Sequence, residues 1–231
     1  ANTQPALMAF SMAVVRVLEK DFGIKLKDKA AFVAGHSLGE YSAACSAGVF
    51  SLSDTAKLLR IRGNAMQNAV PFGVGGMAAV LGLSYKDVGA LVEACSNGKD
   101  ICVAANDNSD GQVVLSGAMS AIDRAVEIAS EFGARKCVKL AVSAPFHSPF
   151  MQPAAEAMAR AFMHVEANNA EIPLIANVLA APITNHKEII KHLIEQVTGT
   201  VRWRETMAYL QEQGVTDFVE LGAGKVLSGI A

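Results

Sequence analysis

The chain has 231 residues, 52% of them hydrophobic and only 18% charged, with a formal net charge of −2. That length and a mean hydropathy of +0.30 suit one substantial α/β core, with or without a smaller insert, and lie far from the disordered regime. The near-neutral balance without a basic block excludes nucleic acid as the main partner, and no apolar run approaches the ~20 residues of a membrane span.

In chain order, helical periodicity covers 5–20, with Leu7, Phe10, Val14 and Leu18 on one stripe expected to face a core. Ala30 to Ala34 is a short apolar run without alternation, the pattern of a fully buried strand. It leads into Gly35-His36-Ser37-Leu38-Gly39 and then a helix over 38–47. A serine between two glycines at a strand-to-helix junction has the layout of a nucleophile elbow, whose tight turn lifts the hydroxyl above a sheet edge. The free N–H groups of the following helix would favour negative charge there. An ordinary strand-to-helix turn with a chance Gly-x-Ser-x-Gly is the alternative.

A second helix is expected over 53–69, capped at Ser53-Asp54, with Leu58, Leu59, Ile61 and Met66 on its buried side. Arg62 lies one turn past Leu58 on that side, and a guanidinium near the interior needs an anion, either a protein carboxylate or a ligand. After the Pro71–Gly76 break comes strand 77–82, helix 85–95, strands 101–105 and 112–116, helix 119–132 and strand 135–141. This βαββαβ order is the ferredoxin-like split motif, its middle strands joined by an Asn106–Gly111 turn. The larger unit resumes after Pro145 with helix 151–163, strand 172–178, helices 187–197 and 202–213, strand 216–221 and a last helix near Lys225. The expected architecture is an α/β-hydrolase-like parallel-sheet domain (1–74 and 142–231) carrying an inserted ferredoxin-like small domain (75–141). Gly222-Ala223-Gly224-Lys225 lacks the Walker spacing and reads as a strand-to-helix turn.

A nucleophilic serine needs a base. His164, His186 and His192 sit in polar surroundings that suggest solvated surface positions, and His36 should point away from Ser37 along the strand. His147 lies in the irregular, proline-pinned loop Ser143–Met151 between the two units, where it is either surface decoration or the base. The acids between Ser37 and His147, including Asp87, Asp107, Asp110 and Glu131, fall in exposed helices and turns of the insert, so no orienting carboxylate of the usual hydrolase kind stands out. The four cysteines, Cys45, Cys95, Cys102 and Cys137, show no metal spacing, which points to free thiols in a reducing cytoplasm.

GHSLGEYSA, IRGNAMQ, NDNSDGQVVLSG, APFHSPFM and VRW…VELGAGKVL occur in the order seen in malonyl-CoA:acyl carrier protein transacylases, and the resemblance covers essentially the whole chain. It implies that Ser37 is acylated, that His147 is the base, and that Arg62 pairs with the free carboxylate of malonate beside Met66. It implies further that the main-chain carbonyl of Gln196, instead of an aspartate, orients His147, and that Phe146 marks malonate selectivity. The backbone N–H of Leu38 is the nameable oxyanion donor; the family's Gly-Gln-Gly-Ser-Gln loop has no counterpart, and further sequence is expected beyond both ends. Asp110 stands where the family usually has proline. The implied reaction moves malonyl from malonyl-CoA to acyl carrier protein for fatty acid synthesis, in the cytoplasm, with no metal or redox cofactor. A polyketide-pathway acyltransferase, a serine thioesterase or esterase, and a catalytically idle docking module for the carrier protein are the rivals.

Overall fold

The computed structural model describes residues 2–142 and 144–230. Helices α1 (Thr3–Phe22), α2 (Leu26–Lys29), α3 (Leu38–Ser46) and α4 (Leu52–Asn68) open the chain. They are followed by β1 (Gly75–Leu81), α5 (Tyr85–Cys95), β2 (Cys102–Ser109), β3 (Gln112–Ala118), α6 (Met119–Ile128) and β4 (Lys136–Lys139). The remainder holds α7 (Gln152–Phe162), a hairpin of β5 (Leu174–Ala176) and β6 (Ala181–Ile183), α8 (His186–Glu195), β7 (Val201–Arg202) and α9 (Trp203–Glu212). The result is a mixed α/β structure whose larger sheet has the order β4-β1-β3-β2-β7.

Within that sheet β1, β2, β3 and β4 pair antiparallel, while β7 joins β2 in parallel through Asn106↔Val201 and Asp107↔Arg202. One apolar core lies between this sheet and α5 and α6, built from Val80, Val88, Leu91, Leu115 and Ile122. A second core gathers Tyr41, Leu58, Leu59, Met66, Met158, Leu174 and Leu193 from the helices and the β5-β6 hairpin. The loop after β4 runs between the two cores, and Phe146 and Phe150 on it reach both sides.

Several sequence expectations are corrected. Ala30–Ala34 is half-exposed, and its sole sheet contact among the described residues is one parallel bridge, Val33 to Leu174. A strand is defined by its ladder, and an apolar run that makes a single isolated bridge does not become one. The same holds at 216–221, which carries no strand; the segment after it folds into turns around Glu220, whose carboxylate accepts from Leu227 N–H, Ser228 N–H and the Ser228 hydroxyl. On α1 the residue turned to the core is Met8, whereas Leu7 and Phe10 face outward. On α4 the cap is Ser51, whose hydroxyl accepts from Asp54 N–H at 3.0 Å, and Ile61 is exposed. The expected Asn106–Gly111 turn shrinks to Asp110-Gly111: Asn106, Asp107 and Asn108 belong to β2, where two bulges let polar side chains turn into the seam.

The junction at Ser37 depends on close backbone approach. A Cβ on Gly35 would lie 2.0 Å from Gly39 O, whereas one on Gly39 meets nothing within 4 Å. Gly35→Ala should therefore cost about 2–3 kcal/mol, lowering the thermal midpoint by about 4–12 °C for a chain of this size. Gly39→Ala, early in α3, should stay within about 1 kcal/mol of the parent. Thermal unfolding of the two variants side by side checks the asymmetry.

Candidate active site

Ser37 caps the N-terminus of α3 with φ 52° and ψ −110°, one of three non-glycine residues at positive φ among the described residues. Such a conformation costs of order 1–3 kcal/mol and persists only where the surroundings hold it. Asn177, just after β5, does the holding: its Oδ1 accepts the Ser37 N–H at 2.8 Å and its Nδ2 donates to Gly35 O at 2.8 Å. His147 is a second positive-φ residue (φ 55°) and is buried in the loop after β4. Ser148 Oγ pins that loop by donating to Pro145 O.

These two strained residues meet. Ser37 Oγ lies 2.8 Å from His147 Nε2, and His147 Nδ1 lies 2.7 Å from the main-chain oxygen of Gln196. A carbonyl can only accept, so Nδ1 carries the proton of the neutral ring and Nε2 is left as acceptor for the serine hydroxyl. Arg62 enters from α4, with Nη2 donating to Ser37 Oγ at 3.1 Å and to Gln196 Oε1 at 2.8 Å. Its Nη1 donates to Gln4 Oε1 at 2.8 Å, and the guanidinium sits 5.4 Å above the ring of Tyr41. The hydroxyl therefore accepts from Arg62 and directs its own hydrogen to His147.

Arg62 is 1% exposed, yet among the described residues no carboxylate lies within salt-bridge distance of it. Ser37, Leu38, Arg62, Met66 and Phe146 line one cleft of about 770 Å³ that also takes in Gln4 and Phe72. The Leu38 N–H, first in α3, has no hydrogen-bond acceptor among the described residues and lies beside Ser37. Among the described residues no group of three His, Cys, Asp or Glu side chains is arranged to hold a metal.

A family profile described as "Acyl transferase domain" matches residues 1–229. The malonyl CoA-acyl carrier protein transacylases of Haemophilus influenzae and Bacillus subtilis are 42% and 41% identical to the chain, covering 99% of it and 72% and 71% of their own lengths. The acyl-carrier-protein S-malonyltransferase of Bartonella henselae superposes with a TM-score of 0.96 at 54% identity, over 99% of this chain and 72% of that one. The chain belongs to the malonyl-CoA:acyl carrier protein transacylase family. A type II PKS acyl-carrier protein in complex with its malonyl-transacylase includes a chain that matches at a TM-score of 0.94 and 37% identity, covering 99% of this chain and 72% of that one.

In this family member burial displaces His147, Glu40 and Arg62 from their ordinary behaviour. Burial first, and then the Arg62 charge, push His147 down to about 3, against the pull of its bond to the Gln196 carbonyl. Burial pushes Glu40, on the first turn of α3, up to about 8, opposed by hydrogen bonds from Gln196 and Asn177 and by Arg62. Burial also lowers Arg62, which remains a cation because its starting value is so high.

The structure brings Ser37, Leu38, Arg62, Met66, Phe146, His147 and Gln196 to one place, with the last two behind the cleft wall. His36 turns the other way, onto Asn108 Oδ1 at 2.8 Å and against Trp203. His164 is exposed and His186 half-buried against Asn169, but His192 is buried and bonded to Glu195. Asp107 is buried as well, because Arg204 Nη2 on α9 pairs with it at 2.8 Å. Ser143 of the histidine loop lies outside the described residues. Nothing in the sequence pattern marks Gln4, Glu40 or Asn177, since a single polar residue in a helix or just past a strand creates no periodicity.

The lowered His147 pKa couples protonation of its ring to folding. Between about pH 6.5 and 3 the unfolded ring binds a proton that the folded ring does not, so stability falls with decreasing pH through that window, by up to about 1.4 kcal/mol per pH unit. An NMR titration should show the His147 ring neutral from pH 8 to 5. An inflection of that ring between pH 6 and 7 is the contrary result.

Proposed function

We propose that the protein transfers a malonyl group from malonyl-CoA to the pantetheine thiol of acyl carrier protein through a malonyl-Ser37 intermediate. The observation that carries this reading is Arg62: a buried guanidinium, bonded among the described residues to neutral groups only, that donates to the very oxygen to be acylated. A malonyl group on Ser37 Oγ has its carboxylate carbon two bonds from the acyl carbon, within reach of a guanidinium that already touches Oγ. A bidentate, charge-assisted pair there supplies the anion that burial of the cation calls for.

The steps follow from the proton inventory. His147 Nε2 takes the Ser37 hydroxyl proton as Oγ attacks the thioester carbonyl, and the tetrahedral oxyanion forms against the Leu38 N–H. Collapse breaks the C–S bond, and coenzyme A leaves with the proton from His147. The pantetheine thiol then gives its proton to His147 and attacks the malonyl-serine; the second collapse returns the proton to Ser37. A main-chain carbonyl on His147 Nδ1 orients the ring without adding a fixed negative charge next to the incoming malonate. Met66 and Phe146 form apolar walls of the cleft, consistent with a role in shaping the acyl site.

We further infer that residues 75–141 form a ferredoxin-like unit inserted into an α/β-hydrolase-like one made of 1–74 and 142–231. The support is the βαββαβ order, the β4-β1-β3-β2 strand order and a core of its own. Cys45, Cys95, Cys102 and Cys137 are all free, which suits a reducing cytoplasm, and among the described residues no helix is long and apolar enough to cross a membrane. Fatty acid synthesis is the pathway favoured by the bacterial relatives; the carrier of a polyketide pathway is the alternative that the PKS complex keeps in view.

Incubation with malonyl-CoA should add one malonyl mass to the intact protein, and Ser37→Ala should abolish the adduct; an unchanged adduct on that variant moves the nucleophile elsewhere. Release of free malonate as fast as transfer would favour the thioesterase reading instead. Arg62→Ala should lose malonyl transfer by about 2–5 kcal/mol, roughly 30-fold and upward, and tolerate acetyl-CoA better. Malonyl-over-acetyl selectivity that survives the substitution removes Arg62 from substrate recognition.

A further inference from the structure

Glu40 is fully buried three residues beyond Ser37, and the reaction as written makes no use of it. One of its oxygens joins the serine junction to two remote segments. Oε2 accepts from Gln196 Nε2 at 2.7 Å and from the Asn177 N–H at 3.2 Å, while Oε1 has no hydrogen-bond partner among the described residues. Both partners hold the reacting groups. Asn177 fixes the Ser37 N–H, and Gln196 presents its main-chain oxygen to His147, its Oε1 to Arg62 and its Nε2 to Ser37 O at 2.9 Å.

We infer that Glu40 is a positioning residue whose Oε2 sets the amide polarity of Gln196 and the place of Asn177, and so keeps Ser37, His147 and Arg62 in register. The amide can sit only one way. Turned over, Gln196 Oε1 would face the Glu40 and Ser37 oxygens, and its NH2 would face the Arg62 guanidinium, giving repulsion at both ends. The role is that of a hydrogen-bond acceptor and needs no charge. Burial favours the neutral acid, and the unpartnered Oε1 is the oxygen free to carry its proton.

This inference rests on the acyl-transfer reading above, and three variants in the full chain separate the two. Glu40→Gln keeps an acceptor oxygen at the right reach. Glu40→Leu keeps the volume without an acceptor, and Glu40→Asp keeps a carboxyl but draws it back by one methylene. Single-turnover malonylation, followed by intact mass, should fall 30- to 100-fold for Glu40→Leu, the scale of ångström-level misplacement. It should fall at least tenfold for Glu40→Asp and no more than fivefold for Glu40→Gln, with KM for malonyl-CoA within about threefold of the parent throughout. Folded Glu40→Leu or Glu40→Asp protein acylating within threefold of the parent overturns the inference. So does Glu40→Gln as slow as the other two, which would make charge the requirement, and so does a failure of both Leu and Asp variants to fold, which would make Glu40 a structural residue. A parent protein that takes up no malonyl group fails the acyl-transfer reading itself, a different result from all of these.

Discussion

A guanidinium buried with no carboxylate in contact among the described residues is the constraint around which the site is organised. Removing Arg62 from water is costly, and neutral acceptors on Gln4, Gln196 and Ser37 with the face of Tyr41 offset only part of that cost. The same charge helps to keep His147 unprotonated. Burial meanwhile drives Glu40 towards its neutral form, which leaves the surroundings of Ser37 with an excess of positive charge. A site with that balance favours an acyl group that brings its own carboxylate, whereas an aspartate behind the histidine would repel that carboxylate and compete with it for Arg62. The carbonyl of Gln196 then orients the imidazole by geometry alone.

Backbone strain is concentrated where the reacting atoms meet. Ser37 and His147 both sit at positive φ, a conformation other L-residues rarely adopt, and both are over-determined by polar contacts from segments far away in sequence. Asn177 and Gln196 reach Ser37 across 140 and 159 positions respectively. An elbow that local sequence disfavours is thus maintained by tertiary hydrogen bonds. This explains why the close approach at Gly35 belongs to the same device: without it the loop could not return within reach of Asn177.

The elements with periodicity or bracketing glycines were legible: α3, α4, α5, β1 and β3 fall within two residues of expectation, and the order of strands and helices through 75–139 could be read from pattern alone. The residues of the site were nameable mainly through the ordered motifs, because neither Arg62 nor Gln196 advertises its burial in local composition. What was illegible has a common physical origin. β7 is two residues long, β6 three, and neither can show a period. Ala30–Ala34 and 216–221 have the composition of strands, but strand formation needs ladder partners, which composition does not encode. Asp107 looks like a turn acid until Arg204, 97 positions later, arrives to bury it.

The seam between the two cores is what turns these separate contacts into one cleft. His36 on Asn108, Asp107 on Arg204, the Thr200 hydroxyl on Ala104 O and the β7-β2 pairing all tie the larger core to strand β2. A Cβ on Gly75 would strike the Pro145 ring at 2.4 Å, so β1 also abuts the histidine loop directly. Phe146 feels both sides: it packs against Met77, Ala105 and Val114 of the sheet while lining the cleft together with Arg62 and Met66. The width of the acyl site is consequently set by how the sheet docks on the larger core, not by either core alone. His147, the next residue, is carried by that same docked loop, so the base and the apolar wall beside it must move together.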